Sequence, residues 1–287
     1  VYPVNEGMEV FTSTAKVIRA RKVTLELILS NHNMQCLTCK RNQNCELQTL
    51  AQNYGVDKVR FKHDEFEENI DDTTGVIVRD NSKCILCRRC VAACKNRQEV
   101  AVIGATQRGF DTEIGCAFEK KLDSVPCVSC GQCIVACPTG ALHERNQVDD
   151  VIEAISDPKK HVVVGIAPSI RVHMGEFFGM PIGTNTQGKI ATALKMMGFD
   201  GVFDVDTAAD VTIMEEGTEL LHRLQNGGPL PLITSCSPGW IKFAEYYYPE
   251  MIENISSCKS PQGMYGSLMK TYYAEKEGID PQDMVVV

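Results

Sequence analysis

Two cysteine runs of identical spacing carry the clearest chemistry in this sequence. The first consists of Cys84, Cys87, Cys90 and Cys94, and the second of Cys127, Cys130, Cys133 and Cys137. Each run has the spacing C-x2-C-x2-C-x3-C, which is typical of thiolates that bind an iron–sulfur cluster. The sequence therefore predicts a protein that carries electrons.

The pairing of the two runs predicts how their thiolates are shared. In the bacterial two-cluster ferredoxin pattern, three cysteines of a run bind one [4Fe-4S] cubane and the fourth binds the other. The predicted ligand sets are Cys84, Cys87, Cys90 and Cys137 for one cubane, and Cys127, Cys130, Cys133 and Cys94 for the other. Zinc is disfavoured because it needs two separate C-x2-C pairs. Disulfides are disfavoured because the cysteines are too close in sequence.

A third group of metal-binding residues lies upstream. His32, Cys36, Cys39 and Cys45 form an H-x3-C-x2-C-x5-C pattern. One imidazole and three thiolates can bind either zinc or an iron–sulfur cluster, and spacing alone does not separate the two. Beside two cubanes a third [4Fe-4S] cluster is favoured, because a zinc ion cannot pass electrons along a redox chain.

Composition limits the class of protein. The net charge of −8 argues against nucleic acid as a partner, and no apolar run approaches the ~20 residues that a membrane span needs. Fourteen cysteines without a targeting segment favour a reducing, cytoplasmic location. The chain starts at Val1 rather than methionine and stops within a strand-like run, so we expect it to be a piece of a longer protein.

The elements that must position these residues fall into three predicted domains, at 1–74, 75–146 and 147–287. A first amphipathic helix is expected at 14–30, and short strands are expected around the cysteine runs. Beyond them, apolar runs alternate with helical patterns, which predicts a parallel sheet with its sites at the carboxyl ends of strands. The predicted strands are 162–166, 201–205, 230–234 and 285–287, and the predicted helices are 148–155, 187–197, 208–226 and 261–277.

The loop after the third of these strands makes a family recognisable. It reads Thr-Ser-Cys-Ser-Pro-Gly-Trp over 234–240. Together with the upstream cluster motifs, it resembles the large subunit of the [FeFe]-hydrogenases over essentially the whole chain. Further similar stretches are 167–171, 178–181, 212–216 and 259–262.

The resemblance implies an α+β multi-domain fold. A helical iron–sulfur domain with one-histidine, three-cysteine ligation would come first, then a two-cluster bacterial ferredoxin-like domain. The first part of an α/β parallel-sheet domain that holds the H-cluster would follow. In the family, the H-cluster joins a [4Fe-4S] cubane to a two-iron unit and interconverts protons, electrons and H2.

This chain departs from the family pattern in two ways. It stops before the two later motifs that supply three of the cubane's ligands, so the complete H-cluster is expected only in the full-length parent. The family usually has two adjacent cysteines where this chain has Cys236 and Ser237. A strict match makes Cys236 the proton relay and puts Ser237 at the ligand position. The alternative, which thiolate chemistry favours, makes Cys236 the ligand and Ser237 the relay.

The resemblance also implies a proton path and a cofactor pocket. The path would use Glu216, Glu219 and Arg223, which share one helix face, together with Ser256. From spacing alone, a solvated face of charged pairs explains the three helical residues equally well. Residues that would line the two-iron unit are Ala167, Pro168, Ser169 and Gln262. Two cysteines outside every motif, Cys116 and Cys258, are expected to be buried as small apolar side chains.

Partners follow only from the resemblance. Residues 2–8 resemble the end of the family's N-terminal [2Fe-2S] domain, which would be missing here. Such chains belong to hetero-oligomers with flavin/NAD(P)-binding and [2Fe-2S] redox subunits, or exchange electrons with ferredoxin. Two other hypotheses remain: a non-catalytic electron-transfer or sensory relative, and an iron–sulfur subunit of an assembly similar to complex I or formate dehydrogenase.

Overall fold

The computed structural model describes residues 2–61 and 69–287. The chain forms two compact units, Val1–Arg145 and Asn146–Val287. The finer division into three domains stays a prediction. No helix within the described residues is both long and apolar enough to cross a bilayer.

The first unit combines short helices with two small antiparallel sheets. Its elements are α1 (Ala15–Ser30), α2 (Glu46–Asn53), β1 (Ile70–Asp71), β2 (Ile77–Asp80), α3 (Arg89–Asn96), β3 (Gly104–Thr106), β4 (Glu113–Gly115), α4 (Gln132–Ala136) and β5 (Leu142–Glu144). The sheets are β1-β2-β5 and the hairpin β3-β4. Thr14 caps α1 by accepting a hydrogen bond from the Val17 N–H at 3.3 Å.

Pairing of β2 with β5 brings the two cysteine runs together. Strand β2 comes directly before the first run and β5 directly after the second, and the antiparallel register places Val78 opposite His143. A core of Ile77, Ile114 and Leu142 packs beneath them with several of the cysteines. The fold thus turns two distant sequence motifs into neighbours.

The second unit is an α/β layer structure. Its elements are α5 (Val148–Ser156), β6 (His161–Ile166), α6 (Ile170–Phe177), α7 (Gln187–Met196), β7 (Gly201–Asp204), α8 (Asp206–Asn226), α9 (Pro238–Tyr247), α10 (Pro261–Leu268), α11 (Ala274–Glu277) and β8 (Met284–Val286). A π-helical segment, Met269–Tyr273, joins α10 to α11.

A parallel sheet of order β7-β6-β8 forms the centre of this unit. Successive residues of β6 face opposite sides, so Val162 packs against Phe199 on one face and Val163 against Ala274 on the other. Both faces are covered, as a parallel sheet requires.

The predicted strand at 230–234 was wrong. Within this segment only Ile233 makes a β contact, an isolated parallel bridge to Ile255. Pro231 lies inside the segment and Pro229 precedes it. Because proline has no N–H to donate to a ladder, the segment cannot serve as a central strand.

Candidate functional site

The two cysteine runs adopt the same unusual backbone. Leu86 and Ser129 precede the second cysteine of their runs and have φ of 55° and 53°. Arg88 and Gly131 follow that cysteine, with φ of 60° and 73°. Left-handed conformations are strained for non-glycine residues, and such strain is concentrated at functional sites. Its repetition shows that both loops wrap in the same way before entering α3 and α4.

The first set of thiols includes one member from the second run. Cys137 and Cys87 act electrostatically on Cys84, and Cys84, Cys137 and Cys87 all act on Cys90. The Leu86 N–H donates a hydrogen bond to Cys84 Sγ at 3.4 Å. The structure therefore brings together the four residues that the sequence assigns to one cubane.

The second set mirrors the first. Cys127 and Cys130 have the largest electrostatic effects on the pKa of Cys133, and Cys90 and Cys94 have smaller ones. Cys94, Cys127, Cys130 and Cys133 line one cavity together with isoleucine, leucine and valine side chains. A mainly apolar wall with four thiols suits a cluster that must be shielded from water.

Burial keeps two of these thiols, those of Cys84 and Cys133, protonated when no metal is bound. It raises the pKa of Cys84 to about 11 and that of Cys133 to about 12. Cluster binding must therefore displace protons from the thiols, as metal binding to cysteine generally does. Within residues 2–61 and 69–287, no three histidine, cysteine or acidic side chains form a group that could hold a single metal ion. A cubane spreads its ligands over four irons, so its thiolates need not share one ion.

The one-histidine site forms between α1 and α2. His32 is 7% exposed, and its buried Nδ1 has no hydrogen-bond partner. Burial lowers the pKa of His32, and Lys83 lowers it further, so the imidazole is neutral, the form that binds metals. Cys39 and Cys45 act electrostatically on Cys36. The donor set fits a metal cluster.

The second unit contains a connected polar network. Ser256 Oγ donates to Glu219 Oε2 at 2.7 Å, and Arg223 Nη2 donates to Glu219 Oε1 at 2.6 Å. Burial would raise the pKa of Glu219, but the hydrogen bonds from Ser256 and Arg223 outweigh it and hold the pKa below its ordinary value. Three of the four predicted proton-path residues therefore meet.

The fourth, Glu216, acts electrostatically on Cys258, a cysteine that the sequence predicts to be a packing residue. Burial raises the pKa of Cys258, and Glu216, Glu215 and Glu219 raise it further. Cys258 is half-buried on a cavity wall, so its expected role as a buried apolar residue was wrong. The sequence offered one indication that Cys258 lies near the proposed proton path, namely its position two residues after Ser256. Cys116, by contrast, is 1% exposed, as expected.

Cys236 lies two residues before α9 and is exposed. It lines a cavity of about 740 Å³ to which Ser235, Cys258 and Gln262 also contribute. Ser235 Oγ donates a short hydrogen bond to the Cys258 carbonyl, which ties the two loops together. Ser237 is the residue before α9 and is exposed, and its side chain does not cap the helix. The geometry places one thiol at the centre of this loop and a second across the cavity.

Comparison with known proteins gives these sites a family. Residues 160–287 match the iron-only hydrogenase large subunit, C-terminal domain. Residues 21–60 match the NADH-ubiquinone oxidoreductase-G iron–sulfur binding region, and residues 74–143 match the ferredoxin-like domain of NADH-quinone oxidoreductase subunit 3. NADP-reducing hydrogenase subunit HndD from Solidesulfovibrio fructosivorans is 44% identical over 99% of this chain and 50% of its own length.

Residues 160–287 match the C-terminal domain of iron-only hydrogenase large subunits, and the chain is similar to such subunits along nearly its whole length. Iron hydrogenase 1 from Clostridium pasteurianum is 41% identical over 99% of this chain and 50% of its own length. An apo [FeFe]-hydrogenase HydA1 variant from Chlamydomonas reinhardtii shares 47% identity, covering 50% of this chain and 37% of its own, with a TM-score of 0.47. The chain spans about half the length of the curated relatives it matches.

The hydrogenase-type pocket residues lie on two different parts of the second unit. Gln262 shares the wall of the Cys236 cavity. Ala167, Pro168 and Ser169 are exposed and follow β6 at its carboxyl end. Arg171 holds this turn, because its Nε donates to the Pro168 carbonyl at 3.0 Å.

The hydrogenase cofactor fits this chain only in part. The only cysteines in residues 146–287 are Cys236 and Cys258, so the second unit cannot supply the four thiolates that a cubane needs. The first unit, with its two four-thiol sets and the His32 site, has donors for three clusters.

Proposed function

We propose that this chain is the electron relay and part of the catalytic domain of an [FeFe]-hydrogenase that oxidises H2 or reduces protons. The observation that carries the proposal is the meeting of Glu219, Arg223 and Ser256 in a unit that matches the hydrogenase catalytic domain. The alternative, a solvated face of charged residues, does not explain why Ser256 is 5% exposed.

Three [4Fe-4S] clusters form the proposed relay. The ligands of the first are Cys84, Cys87, Cys90 and Cys137, those of the second are Cys127, Cys130, Cys133 and Cys94, and those of the third are His32, Cys36, Cys39 and Cys45. Bound clusters supply one-electron transfer. Ligands of both cubanes belong to, or pack against, the core that contains Ile77 and Leu142. A [2Fe-2S] domain in the full-length protein would extend the relay.

The second unit supplies the proposed proton path. The Ser256 hydroxyl accepts a hydrogen bond from the Cys258 N–H at 3.1 Å, which orients it, and donates to Glu219. Its second lone pair can accept a proton while the hydroxyl passes its own proton to Glu219. Arg223 keeps Glu219 oriented through its hydrogen bonds, and Glu216 acts electrostatically on Cys258. We assign Cys236 as the thiolate that binds the H-cluster of the full-length protein, with Ser237 as a relay. Ala167, Pro168, Ser169 and Gln262 would line its two-iron unit.

The proposed setting is a cytoplasmic hetero-oligomer. HndD is named as a subunit of an NADP-reducing hydrogenase, and part of the first unit matches regions of NADH oxidoreductases. Both support a flavin/NAD(P)-binding partner, a [2Fe-2S] subunit or ferredoxin as the electron acceptor.

A second candidate is an iron–sulfur subunit without H2 turnover. It is favoured by residues 21–60 and 74–143, which match NADH oxidoreductase regions. The NADH-ubiquinone oxidoreductase 75 kDa subunit from Reclinomonas americana also favours it, being 37% identical over 50% of this chain and 20% of its own length. Such a protein would accept electrons from a reductant but would not respond to H2.

The test is an anaerobic assay of the full-length protein for H2-dependent reduction of a viologen dye. Glu216→Gln should slow turnover at least about tenfold, because acid–base groups typically contribute more than that. Glu250→Gln is the control, since Glu250 is exposed on the turn Pro249–Asn254. Cluster spectra should be the same in all three proteins. Reduction by dithionite but not by H2 would favour the second candidate.

A further inference from the structure

Arg79 is an unusual charge inside the first unit. Among the described residues it is the only arginine or lysine that is buried, with 6% exposure. Its Nη2 lies 3.2 Å from Asp71 Oδ2. Its Nε and Nη1 are buried and have no nitrogen or oxygen partner. Guanidinium donors without an acceptor are costly to bury, so their retention needs a reason.

The counter-charge on Asp71 is occupied by other donors. Thr73 Oγ1 donates to Asp71 Oδ1 at 2.7 Å, and the Leu122 N–H donates to Asp71 Oδ2 at 3.0 Å. Asp71 is 1% exposed. The carboxylate is therefore shared among several donors, and it neutralises Arg79 on one side only.

Sulfur atoms lie near the guanidinium. Arg79 acts electrostatically on the buried Cys116 thiol and on Cys84. Cys116 belongs to the core against which Cys84 and Cys127 pack. Cys127 and Cys84 open the two cysteine runs. Arg79 thus lies close to both proposed cubane sites, and sulfur is a weak acceptor for its unpaired donors.

We propose that Arg79 is a buried positive charge that raises the reduction potentials of both cubanes bound by the cysteine runs. The inference rests on the proposed iron–sulfur relay. Each cubane gains one negative charge when it accepts one electron, and a fixed cation in a poorly hydrated interior stabilises that form. Arginine stays protonated, so no proton accompanies the electron. A higher potential makes each cubane a better electron acceptor.

The test is a redox titration of the cluster-loaded protein, followed by electron paramagnetic resonance. In Arg79→Gln, the ratio of reduced to oxidised cubane at a fixed potential should fall about tenfold, which is about 59 mV for one electron. Two of the three cluster signals should shift. The signal of the His32 site should not, because its charged neighbours are Lys83 and Asp80.

Two further variants separate charge from folding. Arg79→Lys retains the charge and should shift both potentials much less than Arg79→Gln. The double variant Arg79→Gln with Asp71→Asn removes both charges and so leaves no unpaired buried carboxylate. It should lower both reduction potentials by less than Arg79→Gln alone. Arg89→Gln is the matched control, because Arg89 also acts on Cys87 and Cys137 but is exposed and screened by water.

Unchanged potentials in Arg79→Gln with full iron content would overturn the proposal. Loss of the clusters in all three Arg79 variants would also contradict it, because Arg79 would then serve the fold alone. Neither result depends on H2 turnover. A protein that holds clusters but does not oxidise H2 would reject the proposed hydrogenase activity and leave the role of Arg79 intact.

Discussion

The cysteine-run region of the first unit and the Cys236 cavity of the second differ in how they are built. In the first, each loop of about a dozen residues supplies most of its own donors, and the strained backbone is the same in both. In the second, the candidate groups come from α8, the start of α9 and the loop before α10. Cys90 is buried, whereas Cys236 is exposed.

That difference teaches where each site obtains its shape. A cluster site made from local sequence is fixed by turn conformation and needs only one long-range contact, the pairing of β2 with β5. The Cys236 cavity depends on long-range tertiary contacts, such as the hydrogen bond from Ser256 to Glu219 across 37 positions of the chain. Variants that act on one kind of contact should therefore leave the other region unaffected.

The largest expected effect is the loss of a whole cluster. Cys133→Ser removes a thiolate from the set with Cys127 and Cys130, and iron content should fall by about four atoms per chain, one cubane. Cys116→Ser is the control, because Cys116 is a buried cysteine of the same core that lies outside both runs. Iron analysis of anaerobically purified protein checks this. Equal iron loss in both variants would show that core packing, not ligation, explains the result.

The next effect concerns the His32 site, which depends on one contact between distant segments. A Cβ on Gly140 would lie 2.5 Å from Cys39 Sγ, closer than real contacts allow. Gly140→Ala should therefore lower iron content by up to about four atoms by displacing Cys39. Gly104→Ala is the control, since a Cβ there meets nothing within 4 Å. If both variants keep full iron, Cys39 is free to move or is not a ligand.

The first unit's donor groups could be predicted well because their spacing is itself the structural information. Both thiol sets, including the exchange of Cys94 and Cys137, follow from a pattern with a known geometry. The left-handed Leu86 and Ser129 could not be predicted, because neither residue type favours that conformation. Arg79 was missed for a similar reason, since an isolated arginine in a strand shows no sign of burial.

The second unit was predicted less completely. The parallel sheet and its long helices follow from alternating apolar runs, but Pro229 and Pro231 broke the pattern at one predicted strand. The proton-path residues came from family resemblance rather than from spacing. Cys258 was misjudged because its surroundings are set by α8, more than thirty residues upstream. Contacts of this range are decided by packing, which a local pattern does not contain.

An added methyl group at Gly165 tests how closely the sheet of the second unit packs against its neighbours, for comparison with the closely wrapped cysteine loops of the first unit. A Cβ on Gly165 would lie 2.7 Å from Tyr265 Cε1 and 2.9 Å from Val205 Cγ2. Gly165→Ala should lower the free energy of unfolding by about 1–3 kcal/mol through overpacking. Urea unfolding followed by fluorescence of Trp240, the single tryptophan of the chain, measures it.

Gly217→Ala provides the matched comparison for Gly165→Ala. Gly217 lies inside α8, and a Cβ there meets nothing within 4 Å. Alanine should stabilise the helix by about 0.5–1 kcal/mol, because glycine loses more backbone freedom on folding. Opposite signs for the two variants are expected. Stabilisation by Gly165→Ala would show that the contact between β6 and α10 is loose.

The smallest effect is a pH dependence confined to the second unit. The pKa of Glu219 lies below its ordinary value of 4.5, so its ionised form stabilises the fold. This contribution is fully present above about pH 4.5 and is lost as pH falls through the lowered pKa. Glu219→Gln keeps the shape but not the charge. It should lower the free energy of unfolding by about 1 kcal/mol at pH 7, with little difference from the unmodified protein at low pH.

Glu250→Gln separates this effect from general charge removal. Glu250 is exposed and lies outside the Ser256 network, so its loss should leave the pH dependence of Trp240-monitored unfolding unchanged. Because Arg223 and Ser256 donate to Glu219 and not to Glu250, only the Glu219 variant should flatten the profile below about pH 4.5. An identical profile for all three proteins would mean that the network is too hydrated to hold a proton path.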